Sequence, residues 1–325
     1  MINPHPNPPR RRGNELKNSI FKILIELFIF DKVKRSKIKA RWAKRYLEKY
    51  IEVQADGQLP PDQYHCCTTV EARFEVDPVL QDKPVDKQLS TDQIHLPLPL
   101  WQYWHQGKEN APELIQRCFE SVQKYEGDRK INILSFDTIK DYVELPQRYY
   151  DLVSSGKMPV ALFSDILRMY LLTQYGGVWI DSTILLTDKI PQEIIDSSFC
   201  VVRKDPEKDN QENKMSCYFI RADKNSPNLN AIKRTLENYW AENDFMINYF
   251  MFEHISTMLS DKTPELKAEW DKMPYLDGEI CGKLQTIMDK DFSQEEFNEL
   301  KSETFMHKLT YKKQPSKEFW ERINS

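Results

Sequence analysis

Residues 163–187 read FSDILRMYLLTQYGGVWIDSTILLT, and few folds accommodate such a run. Leu162, Ile166, Met169 and Tyr170, with Leu167, Leu171 and Leu172, put apolar side chains on more than one side of a helix. A helix that apolar is one to be buried. Asp165 and Arg168 interrupt it at i, i+3, so both lie on one face and reach a common point. Gly176 and Gly177 supply a helix stop and a chain reversal. Val178, Trp179 and Ile180 then read as a short buried strand, with Asp181 at its end. Helix, turn and strand together would gather Asp165, Arg168 and Asp181 around one pocket, at the strand end where open α/β sheets bind ligands. Each residue alone has a plainer reading. An Asp/Arg pair at this spacing is most often a surface ion pair, and a lone Asp after a strand a turn residue. Unpaired charge in a buried helix is costly, which favours a site.

The flanking sequence alternates strand and helix. Residues 97–104 (PLPLWQYW) read as a first strand and residues 112–125 as an amphipathic helix through Leu114, Ile115, Cys118, Phe119 and Val122. Residues 131–136 (INILSF) read as a second strand, and a short helix starts over 138–143. Alternation at these intervals predicts a parallel α/β sheet. Beyond Thr187, residues 199–203 (FCVVR) and 216–220 (SCYFI) read as strands around a charged loop, 204–214. Residues 228–239 and 244–259 read as helices, and residues 307–313 as a strand or loop that could return to the site.

The stretch SDILRMYLLTQYGGVWIDST resembles the signature of the capsular polysaccharide synthesis family of glycosyltransferases. That family is similar in turn to mannosyltransferase-like enzymes and to the sugar-transferring domain of large clostridial toxins. Three further blocks match in order: LWQYWHQG (100–107) with PELIQRCFES (112–121), YWAENDFMINYFMFEH (239–254) and HKLTYK (307–312). The resemblance implies a GT-A-type, Rossmann-like nucleotide-sugar domain. It also implies a nucleotide-sugar donor, a saccharide or lipid-linked saccharide acceptor, and Mn2+ or Mg2+ as cofactor. Asp165 and Arg168 match the pair that holds the donor sugar, and Asp181 the first Asp of a DxD motif that meets ribose and metal. In the related families a second acidic residue follows two places on; here Thr183 stands there, leaving Asp181 and Thr183 as the metal pair. Trp104 falls where relatives stack an aromatic ring on the base, although a core Trp fits the sequence equally well. Lys308 or Lys312 could neutralise the diphosphate, while His254 and His307 are weaker candidates, a lone His being more often structural. No carboxylate stands out as nucleophile or base, which suits the retaining mechanism that the resemblance implies.

The chain of 325 residues has room for one large domain and an appendage: residues 1–53 as an arm and basic amphipathic helix, 54–95 as a linker, and 96–325 as the catalytic domain. Residues 1–13, rich in proline and arginine, read as a disordered arm. Between Lys32 and Lys49 lie nine Lys or Arg residues against the single acid Glu48. Such a helix, following the apolar run Ile20, Ile23, Leu24, Leu27 and Phe28, is a candidate for lying on an anionic membrane; the alternative is that residues 20–30 pack on the catalytic domain and the lysines face water. The formal net charge of −4 and the lack of any reader motif argue against nucleic acid. Six cysteines without CxxC spacing suggest neither zinc nor disulfides. With no signal-like segment and no long uncharged apolar run, the expected location is cytoplasmic, peripheral on the inner face of the plasma membrane if residues 14–53 bind it. Against the enzyme stand two alternatives: a non-catalytic nucleotide-sugar-binding scaffold and a membrane-surface adaptor.

Overall fold

The computed structural model describes residues 10–29, 31–51, 98–316 and 318–324. The linker expected at 54–95 lies outside the described residues. So does most of the arm, but its last part is helical: α1 (Arg10–Phe28) begins four residues before the predicted helix. Then come α2 (Lys32–Leu47), β1 (Leu100–Tyr103), α3 (Glu113–Glu126), β2 (Ile131–Leu134), α4 (Gln147–Ser154), α5 (Val160–Tyr175), β3 (Gly177–Ile180) and β4 (Ile184–Leu186). The chain continues through α6 (Gln192–Asp196), β5 (Phe199–Arg203), β6 (Met215–Ala222), α7 (Pro227–Glu242), α8 (Met251–Lys262) and α9 (Pro264–Lys272). It closes with α10 (Gly278–Ile287), α11 (Gln294–Glu303), β7 (Met306–Lys308) and α12 (Phe319–Asn324).

The central sheet has the order β2-β1-β3-β6-β5. β2, β1 and β3 are parallel, as the alternation predicted, whereas β6 runs antiparallel to both of its neighbours, β3 and β5. The α/β class expected from the sequence is thus present, in a mixed sheet. The two-residue period sorts its faces. Trp101, Tyr103, Trp179, Phe199, Val201 and Ile220 enter the larger core with α5, α7 and α8. Leu100, Val178, Ile180, Cys200, Val202 and Phe219 enter a second core, shared with β4 and β7. β4 and β7 form their own antiparallel ribbon, and α3, α10, α11 and α12 enclose a third core.

The glycine turn sets the strand beside β1. At Gly177, φ is +105° and an added Cβ would lie 2.2 Å from the Pro99 carbonyl oxygen, so only glycine lets Val178 N–H donate to that oxygen at 2.9 Å.

Two predicted helices differ. Residues 138–143 hold one 3-10 turn, Ile139–Asp141, and the helix proper starts at Gln147. Residues 244–250 are irregular before α8 begins at Met251, because Asn243 ends α7 and Asn248 Oδ1 accepts from the Phe250 N–H.

α2 packs on the body of the domain. Ala40, Ala43 and Leu47 are buried, Tyr46 donates to Asn243 Oδ1 at 3.0 Å, and Arg41 pairs with Glu212 at 2.6 Å. No helix among the described residues is long and apolar enough to cross a membrane.

Candidate functional site

α5 carries its two charged residues inward. Asp165 and Arg168 are both buried, and Arg168 Nη2 lies 3.1 Å from Asp165 Oδ1 and 3.2 Å from Asp181 Oδ1. The surface-pair reading of Asp165 and Arg168 therefore fails. The guanidinium stacks 4.8 Å from the Trp179 ring and donates to Ser164 O at 3.3 Å, to Ser164 Oγ at 3.1 Å and to the Cys217 carbonyl. An arginine so engaged is fixed in position as well as charged.

Asp181 begins where β3 ends, its N–H donating to Tyr218 O at 2.8 Å. Trp179 Nε1 donates to Asp181 Oδ1 at 2.8 Å, and Lys308 Nζ to Oδ2 at 3.1 Å. The same ammonium donates to Thr183 Oγ1 at 2.5 Å. Lys308 arrives on β7, opposite Ile184 in the register, and Leu309 N–H closes the ribbon on Thr183 O at 2.9 Å. The structure thus brings Asp165, Arg168, Asp181, Thr183 and Lys308 together.

Burial alone would raise the Asp181 carboxyl, but Lys308 and Arg168 beside it, with the Trp179 hydrogen bond, hold it below the usual carboxylate range. Asp165 moves the other way: burial, then the negative charges of Glu253 and Asp181, raise it against the pull of Arg168. The two neighbouring carboxyls are thus pushed in opposite directions by their surroundings.

Sequence reasoning missed Glu253 and Cys217. The Cys217 sulfur lies 3.3 Å from Glu253 Oε1 and 3.7 Å from Asp165 Oδ1, so its single S–H can donate to either of two buried carboxyls. Burial raises Glu253 as well. The one signal for Glu253 was its place before His254 in the matching block YWAENDFMINYFMFEH, on a helix whose other acid, Asp261, is exposed in the last turn. His254 itself is fully buried, with Nδ1 2.7 Å from Asn213 Oδ1, and desolvation lowers it to about 3. His307 is also fully buried, with Nε2 3.2 Å from Thr187 Oγ1, and desolvation lowers it to about 4. Both side chains are buried in the folded protein.

Trp104 follows β1, half-buried, its N–H on Leu134 O at 3.0 Å and its ring edge-on to Tyr311 at 5.6 Å. It packs at the edge of the third core. Tyr311 stands three residues after Lys308 in the chain. Lys312 is exposed beyond it.

A hard divalent cation takes oxygen ligands and can be held by one carboxylate together with substrate phosphates. Asp181 and Thr183 fit that chemistry in kind, and their shared cation here is the Lys308 ammonium. Among the described residues there is no group of three or more His, Cys, Asp or Glu that could hold a metal ion. A metal on Asp181 and Thr183 would therefore need oxygens from the substrate or water, and would meet Lys308.

Fold and site define the class: an α/β domain with a buried anion–cation cluster at the carboxyl end of its parallel strands, where sheets of this kind bind ligands. The chain belongs to the capsular polysaccharide synthesis protein family, whose profile matches residues 64–322. It is 28% identical over 92 residues to the O-glycosyltransferase braB of Annulohypoxylon truncatum, a match spanning 26% of this chain and 22% of that protein. Among solved structures it is similar to the PaToxG glycosyltransferase, at 18% identity and a TM-score of 0.35, over 50% of this chain and 67% of the other.

Proposed function

We propose that the protein is a glycosyltransferase moving a sugar from a nucleotide-sugar donor to a saccharide or lipid-linked saccharide acceptor of a surface polysaccharide, with Mn2+ or Mg2+ as cofactor and with retention. The observation that carries this reading is the arrangement of Asp181, flanked by Arg168 and Lys308 at the end of β3. Glycosyl transfer from a diphosphate needs positioned cations where charge builds on the leaving group, and donors that orient the sugar.

Each residue has a part in this reading. Arg168, fixed by Ser164 and Cys217, and Asp165 orient the hydroxyls of the donor sugar. Lys308 moves from Asp181 to the diphosphate and neutralises it. Asp181 stays ionised and accepts from the ribose, and Trp104 with Tyr311 offers ring faces to the base. Mn2+ or Mg2+, held by Asp181 and Thr183 when bound, supplies positive charge to the leaving diphosphate. Retention is favoured because the three carboxyls described in the site, Asp165, Asp181 and Glu253, are each engaged by a neighbour and none of the three is free to act as base. The work is placed in the cytoplasm, at an anionic membrane surface reached through residues 14–53.

A second reading has one specific support. Lys308 Nζ already bridges both metal candidates, so the ammonium could serve as the counter-cation without a divalent ion. Nucleotide sugars are screened by thermal shift with and without Mn2+, then donor hydrolysis is followed with and without EDTA. Turnover that EDTA abolishes supports the first reading, and turnover that EDTA leaves intact supports the second. A protein that neither binds nor hydrolyses any nucleotide sugar would leave the scaffold alternative.

A further inference from the structure

α1 has two apolar faces, and only one is covered. Ile25 and Asn18 are buried, Phe21 stacks on Trp42 at 4.4 Å, and Lys22 Nζ reaches Met246 O at 3.5 Å. On the opposite side Leu16, Ile20, Ile23, Leu24 and Leu27 are between 47% and 62% exposed. At about 100° per residue these five fall within roughly a 100° arc, one continuous aliphatic stripe along the helix. Val33, just beyond, is 48% exposed.

We propose that this stripe of α1 lies flat in the interface of an anionic lipid bilayer. The charges around it select that occupant. The sequence of α1 opens on Arg10-Arg11-Arg12, and past its far end stand Lys32 and Lys34, both exposed and neither in an ion pair among the described residues. A second copy of this chain, packed on the stripe parallel or antiparallel, would set basic end against basic end. Glu26, an acid of α1 itself, is already held by Arg35 and Lys39. An apolar stripe with cations at both ends matches anionic headgroups over acyl chains. The stripe is built for lying on the bilayer, since no described helix is long and apolar enough to cross it.

The placement differs from the one the basic run suggested. α2 is docked on the domain, with Arg41 and Lys44 directed at Glu212, so the apolar helix before it is the one free to enter the interface. It also bears on the acceptor. Lys22 ties α1 to Met246, in the irregular segment that carries exposed Tyr249 and leads into α8 and Glu253. A lipid-linked saccharide would then be presented beside the segment that leads into α8, the helix carrying Glu253. The inference rests on the glycosyl-transfer reading for that purpose only; the surface is read from α1 alone.

The test uses the full chain with phosphatidylcholine vesicles, with and without phosphatidylglycerol, in a flotation assay. Ile20→Glu/Leu24→Glu should lower partitioning at least about 30-fold with an unchanged melting temperature, since both side chains face solvent. Lys32→Ala/Lys34→Ala should lower it about 25-fold on anionic vesicles only, and high salt should mimic that loss, at about 1 kcal/mol per surface cation. Wild-type partitioning by the glutamate variant, or no partitioning by the wild type, overturns the proposal. So does a wild-type dimer that the glutamate variant dissociates, because the stripe would then belong to a second copy. Donor hydrolysis in vesicle-free buffer separates this result from the catalytic reading: vesicle binding without turnover sinks the enzyme and leaves the surface standing.

Discussion

Arg168→Gln probes whether the centre of the site is a buried charge cluster. The guanidinium is 3% exposed, faces Asp165 and Asp181 at 3.1 and 3.2 Å, and satisfies Ser164 O, Ser164 Oγ and the Cys217 carbonyl. Glutamine can replace at most two of those hydrogen bonds and none of the charge. Removing one partner of a buried pair costs about 3–5 kcal/mol. Two features reduce it: Lys308 still neutralises Asp181, and Asp165 already tends to hold a proton. A loss of about 3 kcal/mol at pH 7 follows. The deficit depends on pH with a definite sign. Arg168 pulls the Asp165 pKa down against burial, so its removal sends that pKa higher. A carboxyl whose folded pKa lies above its unfolded value loses stability as pH rises, and the variant loses more. Urea unfolding of both proteins at pH 6 and pH 8 should show a larger gap at pH 8. A gap of at most about 1 kcal/mol, equal at both pH values, would refute the buried cluster and restore the surface pair. Below the variant's melting temperature, kcat/KM should fall by about 100-fold or more, through loss of oriented charge in a site shielded from water.

Three further outcomes are expected. Lys308→Met should raise Mn2+ affinity of the ligand-free protein roughly tenfold, since no ammonium then competes for Asp181 and Thr183, while nucleoside diphosphate binding weakens; unchanged Mn2+ affinity, read by EPR titration, would mean that ammonium and ion do not share a site. Trp104→Ala should weaken nucleoside diphosphate by about 1–3 kcal/mol in calorimetry; full affinity in a protein that melts early would assign Trp104 to the core. His254 and His307 have folded pKa values lowered to about 3 and about 4, so each withdraws stability as pH falls below the ordinary histidine value, about 2 kcal/mol apiece by pH 5. His254→Gln/His307→Gln should therefore flatten the stability loss between pH 7 and pH 5, and an acid limb as steep as the wild type's would show that these rings are not buried neutral.

What the sequence disclosed followed from local pattern. The apolar α5, the Gly176-Gly177 turn and the run Val178–Ile180 needed no partner to be read, because helix and strand periods and glycine chemistry are local. Strand direction was not local: an apolar run such as FCVVR fits either orientation, and β5 and β6 run antiparallel through pairing that periodicity does not encode. Glu253 was hidden by phase, since residues 244–250 interrupt the helix and reset which side of α8 faces Cys217. The α1 stripe was visible as apolar periodicity, but not which of its two apolar faces the domain covers.

Lys308 shows the limit most clearly. It meets Asp181 only because Ile184 pairs with Lys308 and Leu186 with Met306 across the β4–β7 ribbon. In that register Ile184, Leu186 and Met306 line the second core, and Lys308 continues their row to the site. Leu185 and His307 turn to the third core, where the His307 ring lies 6.3 Å from Phe297. A slip of one residue would exchange the two, placing His307 at Asp181 and burying the Lys308 ammonium among Leu185 and Phe297 without a counter-charge. Three-residue strands carry too little pattern to fix that choice by themselves. The choice is made by the unequal cost of the two arrangements, a neutral histidine being far cheaper to bury than an ammonium, and for that reason the lysine of the HK pair, not the histidine, faces the candidate site.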